Sequence, residues 1–247
     1  MPNPSSSEKE LYFLLLFLLG VFVTDDSIVF EAYLKDYYLS LLMQIIIQPI
    51  ALSSCESKYN SNSNSIICYL IQNLSKIFGD TASISSSSGS LQSSSFQAST
   101  AMATMPPTYL YDRRRRQWIS NRILDWLLKN NNPDDNTKVL AVCDFDAYSD
   151  ELNFVFGEAH FGGRVAAIYL PRLKEEFYVR KSDTNKLFKQ RVIKETVHEL
   201  GHLFGLTHCE KSKCVMHFSN SLQDTDFKDH KFCERCNQIL KSIQFNT

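Results

Sequence analysis

Apolar residues crowd the first fifty positions of the chain, yield to two serine-rich stretches, and return with clear periodicity after position 107. Leu11–Val23 is an apolar run of 13 residues, short of the roughly 20 that a membrane-crossing helix needs. Glu8-Lys9-Glu10 stands where a signal peptide carries positive charge, and no small-residue cleavage site follows. A buried opening helix is the expectation for this run, with a secretory signal as the alternative. Over 28–39 the apolar positions 30, 33, 34, 37 and 38 have helical spacing. Gln44–Gln48 is β-branched and reads as a short strand stopped by Pro49.

Residues 57–65 and 83–99 are rich in serine and asparagine and too poor in apolar residues to offset ordering entropy, so both are expected to be loops or disordered insertions. Between them, Ile67, Leu70, Ile71 and Leu74 share one face of an expected helix over 66–78. The second half is better patterned. An amphipathic helix is expected over 117–129, with Ile119, Ile123, Trp126 and Leu127 on its apolar face, ended by Asn130-Asn131-Asn132-Pro133. Strands are expected over 139–143, 152–156 and 164–170, the last two joined through Gly157, Gly162 and Gly163. A long helix follows over 186–204. This order of elements predicts an α+β or α/β domain. The expected organisation is an apolar segment (1–27), a helix and strand part of the domain (28–80), a serine-rich insertion (81–107) and the main domain (108–247).

Charge adds little. The net charge of -1 exerts no global pull toward nucleic acid or anionic membrane. The run Arg113–Arg116 is the one basic cluster, and a solvated loop is its expected role. Seven cysteines, an odd number without regular spacing, argue against a secreted disulfide framework and fit a reducing compartment.

The chemistry concentrates in His198-Glu199-Leu200-Gly201-His202-Leu203-Phe204-Gly205-Leu206-Thr207-His208. A hydrolytic zinc needs three protein ligands and an open position for water. His198 and His202, four apart on a helix, project from one face. Gly205 lets the backbone leave the helix sharply, so that His208 can return as a third ligand. Glu199, beside the first ligand, can stay unligated and act as general base toward water. Met216, eight residues after His208, is a candidate for the methionine turn that follows long motifs of this kind.

Cys209, Cys214, Cys233 and Cys236 form two close pairs, one of them a C-x-x-C. That spacing predicts a closed, four-thiolate structural zinc clamping the segment after His208 to a C-terminal helix near 237–243. Two disulfides are the alternative if the chain is exported. His160, His217 and His230 have no ligand spacing and read as packing or surface residues. Cys55 and Cys68 read as ordinary thiols.

The stretch His198 to Cys236 resembles the archaemetzincin (archaelysin) family. That family's pattern is His-Glu-x-x-His-x-x-Gly-x-x-His-Cys, then x4-Cys-x-Met and a later Cys-x-x-Cys, and every position is filled here. Asn153–Ala159 and Arg164–Leu173 also look like the family's strand region, and the resemblance spans 117–243 well and 28–55 loosely. It implies a compact metzincin-like α+β domain, with a mixed twisted sheet, an active-site helix and a C-terminal subdomain stapled by the four cysteines. It implies two Zn2+ ions: one catalytic, on His198, His202 and His208, and one structural, on Cys209, Cys214, Cys233 and Cys236. The expected function is hydrolysis of peptide or protein substrates, with Glu199 as base, in the cytoplasm, by a monomer without nucleic-acid or membrane partners. The rivals are a zinc hydrolase of a non-peptide amide and a non-catalytic zinc-binding module. The second of these has no need of Glu199 beside intact ligands.

Overall fold

The computed structural model of the chain describes residues 43–51, 66–78, 82–86, 105–149, 152–178 and 185–244. The expectations for 1–42 and for 57–65 lie outside these residues.

Strand β1 (Met43–Ile50) is the first described element, and it runs through Pro49 instead of stopping there. Its neighbour β2 (Ala82–Ser86) pairs with it only as far as Ile47. At Pro49 it is therefore flanked, among the described residues, by β5 (Thr137–Cys143) alone, an edge position where a missing N–H is tolerated. β2 itself corrects the reading of the serine-rich stretch: its first residues form a strand parallel to β1. Backbone pairing to an existing β-branched strand overrides a weak local propensity.

The main sheet has the order β2-β1-β5-β8-β7, where β8 is Val165–Tyr169 and β7 is Gly157–Ala159. All neighbours are parallel except β7, which runs antiparallel to β8 at the edge. Every residue of β5 and β8 is buried, as expected of strands covered on both faces. Side chains alternate between two cores. Leu140 and Val142 join Ile45, Ile47, Ala166 and Ile168 on one face, against helices α1 (Ile66–Phe78) and α3 (Asn185–Leu203). Val139, Ala141 and Cys143 join Val165, Ala167 and Tyr169 on the other, against α2 (Ser120–Asn131).

The helix expected from 117 begins at Ser120. Residues 117–119 form β4, which pairs with β3 (Tyr111–Asp112) and β6 (Ala147–Tyr148) in a small second sheet. Long-range partners make the difference. Gln117 donates to Asp146 Oδ2 and to the Asn153 carbonyl, both at 3.0 Å, and Trp118 packs on Phe145 with ring centroids 4.9 Å apart. The four arginines occupy the β3–β4 turn, where Asp112 Oδ1 accepts the N–H groups of Arg114 and Arg115. All four are exposed, and Arg115 lies 4.2 Å over the Tyr148 ring. α2 ends where expected, with Asn132 left-handed and its N–H on the Leu128 carbonyl. The strand expected over 152–156 is irregular apart from a Ser149–Leu152 bridge, and the edge strand falls on 157–159. Gly157 is thus part of the strand and not of its connection.

Two short helices complete the described fold, α4 (Leu222–Phe227) and α5 (Glu234–Gln244). Ser221 caps α4 by accepting the Asp224 N–H. Among the described residues no helix is long and apolar enough to cross a membrane. α3 is anchored by Arg191, which is 2 % exposed. Its guanidinium donates twice to Asp226 (2.7 and 2.6 Å), once to Glu175 (2.6 Å) and once to the Leu173 carbonyl (3.1 Å). Removing one side of a buried ionic cluster strands the other. Arg191→Leu should therefore cost about 3–5 kcal/mol, read as a fall in Tm on the order of 10 °C. A Tm within 2 °C or so of wild type would mean the cluster carries no net stability.

Candidate metal centres and active site

α3 places His198 and His202 one turn apart at its buried C-terminal end. Backbone carbonyls fix both rings. His198 Nδ1 donates to Val215 O and His202 Nδ1 to Leu206 O, each at 2.7 Å. Each ring therefore turns an unprotonated Nε2 outward, and the two Nε2 atoms face each other at 3.1 Å. Two lone pairs pointed at one another repel unless a cation lies between them. Tetrahedral zinc, with Zn–N of about 2.0–2.1 Å, sets neighbouring ligand nitrogens about 3.3 Å apart. The observed pair fits that ion.

The chain leaves α3 at Gly205, whose φ of +82° is left-handed. Its N–H bonds to His202 O, and the Leu206 N–H to Gly201 O. The turn returns His208 to the same point, and the donor atoms of the three histidines lie within 4.8 Å of one another. Burial lowers the pKa of His198 well below the usual imidazole range, assisted by the Lys228 charge, and lowers His202 to about 4. Burial lowers His208 as well. All three are thus neutral imidazoles, the form that binds metal.

Glu199 is 4 % exposed and lines a cleft of about 540 Å³ together with all three histidines. Burial, and then the charge of Glu195, raise its pKa well above the carboxylate range, with Lys228 opposing them. Nearby divalent charge acts in the opposite sense and favours the carboxylate. Gly157 on the edge strand makes room for this group: a Cβ there would lie 2.5 Å from Glu199 Oε1 and 2.6 Å from its Cγ. Gly201 does the same for Met216, whose Sδ occupies the space of the missing Cβ. Met216 is fully buried beside the ligand helix, and its carbonyl accepts the Cys209 N–H at 2.9 Å.

The four cysteines also converge, with all sulfurs within 4.8 Å. Cys209 Sγ to Cys233 Sγ and Cys214 Sγ to Cys236 Sγ are each 3.8 Å, so neither pair is a disulfide. The edge of a tetrahedron with Zn–S of about 2.3 Å is about 3.8 Å. Burial raises Cys214 and Cys236. Cys233 is also pushed up by burial, but the Cys236 N–H and the neighbouring thiols bring it down to about 7. Without a cation the cluster resists full ionisation, and a thiolate-binding metal is the group it suits.

His160 stands 3.5 Å from Asp125, His217 Nδ1 bonds the Cys209 carbonyl at 2.9 Å, and His230 is exposed. None joins the histidine cluster. The sequence reading missed the cleft's aromatic lining, Phe154, Phe156, Phe161 and Phe218, and the role of Gly157. It also missed Glu195, although the Glu195–Glu199 spacing of four could have placed both on one helix face.

Comparison with known proteins agrees with this geometry. Residues 100–242 match the model of peptidase family M54. The archaemetzincin of Pyrococcus abyssi is 48 % identical over 134 residues, which is 54 % of this chain and 70 % of that protein. That of Methanocaldococcus jannaschii is 46 % identical over 138 residues, 56 % and 72 % of the two chains. Among solved structures, archaemetzincin from Methanopyrus kandleri aligns with a TM-score of 0.62 at 26 % identity, covering 84 % of this chain and 97 % of its own. The Archaeoglobus fulgidus archaemetzincin, solved with malonate, aligns with a TM-score of 0.58 at 32 % identity, covering 80 % and 99 %. Fold, histidine cluster and relatives together define a zinc-dependent metallopeptidase. The chain belongs to peptidase family M54.

Gly157→Ala should displace the Glu199 carboxylate by a fraction of an ångström to 1 Å and lower kcat/KM on peptides about a hundredfold, with bound zinc unchanged. Steady-state kinetics alongside metal analysis would check this. Near-wild-type activity would show that Glu199 needs no such clearance.

Proposed function

We propose that the chain hydrolyses peptide bonds with His198, His202 and His208 holding a catalytic zinc and Glu199 acting as general base. The observation that carries this reading is the pair of facing Nε2 lone pairs, 3.1 Å apart, in one cleft with the Glu199 carboxylate. When bound, the metal supplies Lewis acidity: it lowers the pKa of a water toward neutrality and polarises a carbonyl. Glu199 then does the proton work. Its carboxylate takes a proton from the attacking water and delivers it to the leaving amine nitrogen. Burial strengthens these interactions by keeping bulk water away.

The polypeptide substrate lies extended along β7. Among the described residues this strand is the edge of the main sheet, and it lines the cleft through Gly157, Glu158 and Ala159. An edge offers backbone groups that pair with a peptide strand. A second zinc on Cys209, Cys214, Cys233 and Cys236 is structural, since four thiolates leave no open position. It joins the turn after His208 to α5, and the free thiols of this cluster fit the cytoplasm.

The test is a peptide-library digest read by mass spectrometry, with wild type and Glu199→Ala both assayed for zinc. Wild type should cleave, and the variant should lose about 10²–10⁴-fold in rate while keeping its metal. Equal cleavage by both would remove Glu199 from the chemistry. Zinc-loaded wild type that cleaves no peptide would overturn the substrate assignment.

A further inference from the structure

The proton chemistry leaves a second charged group in the same cleft without a role. Glu195 sits one turn before Glu199 on α3, is 3 % exposed and lines the cleft. Its Oε1 pairs with Lys228 Nζ at 3.1 Å, and the Lys228 side chain is fully buried. The same oxygen accepts the Thr225 hydroxyl at 3.1 Å. Lys228 follows α4 directly, with its N–H on the Asp224 carbonyl. Its ammonium also donates to the His217 carbonyl at 3.3 Å.

That last bond matters because of what His217 leads into. Phe218, Ser219 and Asn220 line the cleft, and the Phe218 ring packs on His208 with centroids 5.0 Å apart. One ammonium thus ties three things: the helix that carries Glu199, the end of α4, and the wall of the cleft. Lys194 secures α4 further, through the carbonyls of Thr225 and Asp226 at 3.0 and 2.9 Å. On that wall Ser219 Oγ is buried and, among the described residues, has no hydrogen-bond partner.

Stability alone does not explain the pair, because a well-packed apolar pair of similar volume holds a fold as well or better. What apolar side chains cannot do is fix two elements at hydrogen-bond length and leave a carboxylate on the cleft floor. We propose that Lys228 is a positioning residue that clamps the wall 217–220 to the active-site helix. It thereby sets the width of a subsite that takes a substrate side chain bearing a hydrogen-bond donor (Asn, Gln, Lys or Arg), with Glu195 and Ser219 as its polar contacts. The subsite assignment rests on the peptidase reading, whereas the clamp does not.

The experiment compares wild type, Lys228→Met and the double variant Glu195→Met/Lys228→Met, each checked for zinc. The single variant leaves Glu195 buried and unpaired, so its Tm should fall on the order of 10 °C. The double variant should regain most of that loss. Hydrogen exchange then reads the clamp directly. The His217 and Asn220 amides, bonded to Cys214 O and Asp224 Oδ2, should exchange at least about tenfold faster in the double variant than in wild type, with the β5 amides unchanged. In the library digest, the double variant should lose the preference for donor-bearing side chains flanking the cleaved bond, with KM raised and kcat/KM down roughly ten- to a hundredfold. A stable double variant with wild-type exchange at 217–220 would overturn the clamp, whether or not any peptide is cleaved. Faster exchange with an unchanged cleavage profile would overturn the subsite. No cleavage by zinc-loaded wild type would instead count against the peptidase reading, and would leave the exchange result to decide the clamp.

Discussion

Two imidazole lone pairs, held face to face by hydrogen bonds on the far side of each ring, are the constraint around which this molecule is built. Left alone they repel, and burial disfavours relieving the repulsion by protonation. The fold has to supply the restraint. It does so with carbonyls from two different loops: Leu206 just past the end of α3, and Val215 beyond the first cysteine pair. These second contacts fix tautomer and orientation together. The four-cysteine cluster adjoins the same segment, since Cys214 directly precedes Val215.

Around that point the sheet and the helix have separate tasks. α3 is packed along β8 and β7 and anchored by the Arg191 cluster, so the ligand end of the helix is a rigid element. The edge strand approaches so closely that a Cβ at Gly157 would meet the Glu199 carboxylate. The helix therefore carries His198, Glu199 and His202, while β7 is the last strand of the main sheet among the described residues. Two clusters centred on buried cations, Lys228 with Glu195 and Arg191 with Glu175 and Asp226, are ionic where apolar packing would serve for stability. In the first pair the geometry gives a reason, since the ammonium spans helix and wall.

The parts legible in the sequence are those whose signal is local. Helical spacing gave α1 and α3 to within a residue at each end, and the β-branched run gave β5 and β8 nearly in full. The convergence of His198, His202 and His208, the left-handed Gly205 and the gathering of the four cysteines followed from spacing alone. What failed was decided at long range. The segment 117–119 has helical spacing, yet Gln117 and Trp118 find partners near 145–153 that hold it extended. Ala82–Ser86 has little strand propensity and is a strand because β1 lies beside it. Lys228 carries no motif at all. It matters because α4 returns it beneath Glu195, 33 positions earlier in the chain.

The most direct test of the central claim is an anomalous-difference map at the zinc edge from crystals of protein grown with zinc and never exposed to chelator. The map should show one peak about 2 Å from the Nε2 atoms of His198 and His202 and a second at about 2.3 Å from the four cysteine sulfurs. An empty histidine cluster in crystals whose cysteine site is occupied, or sulfurs joined in disulfides, would contradict that claim.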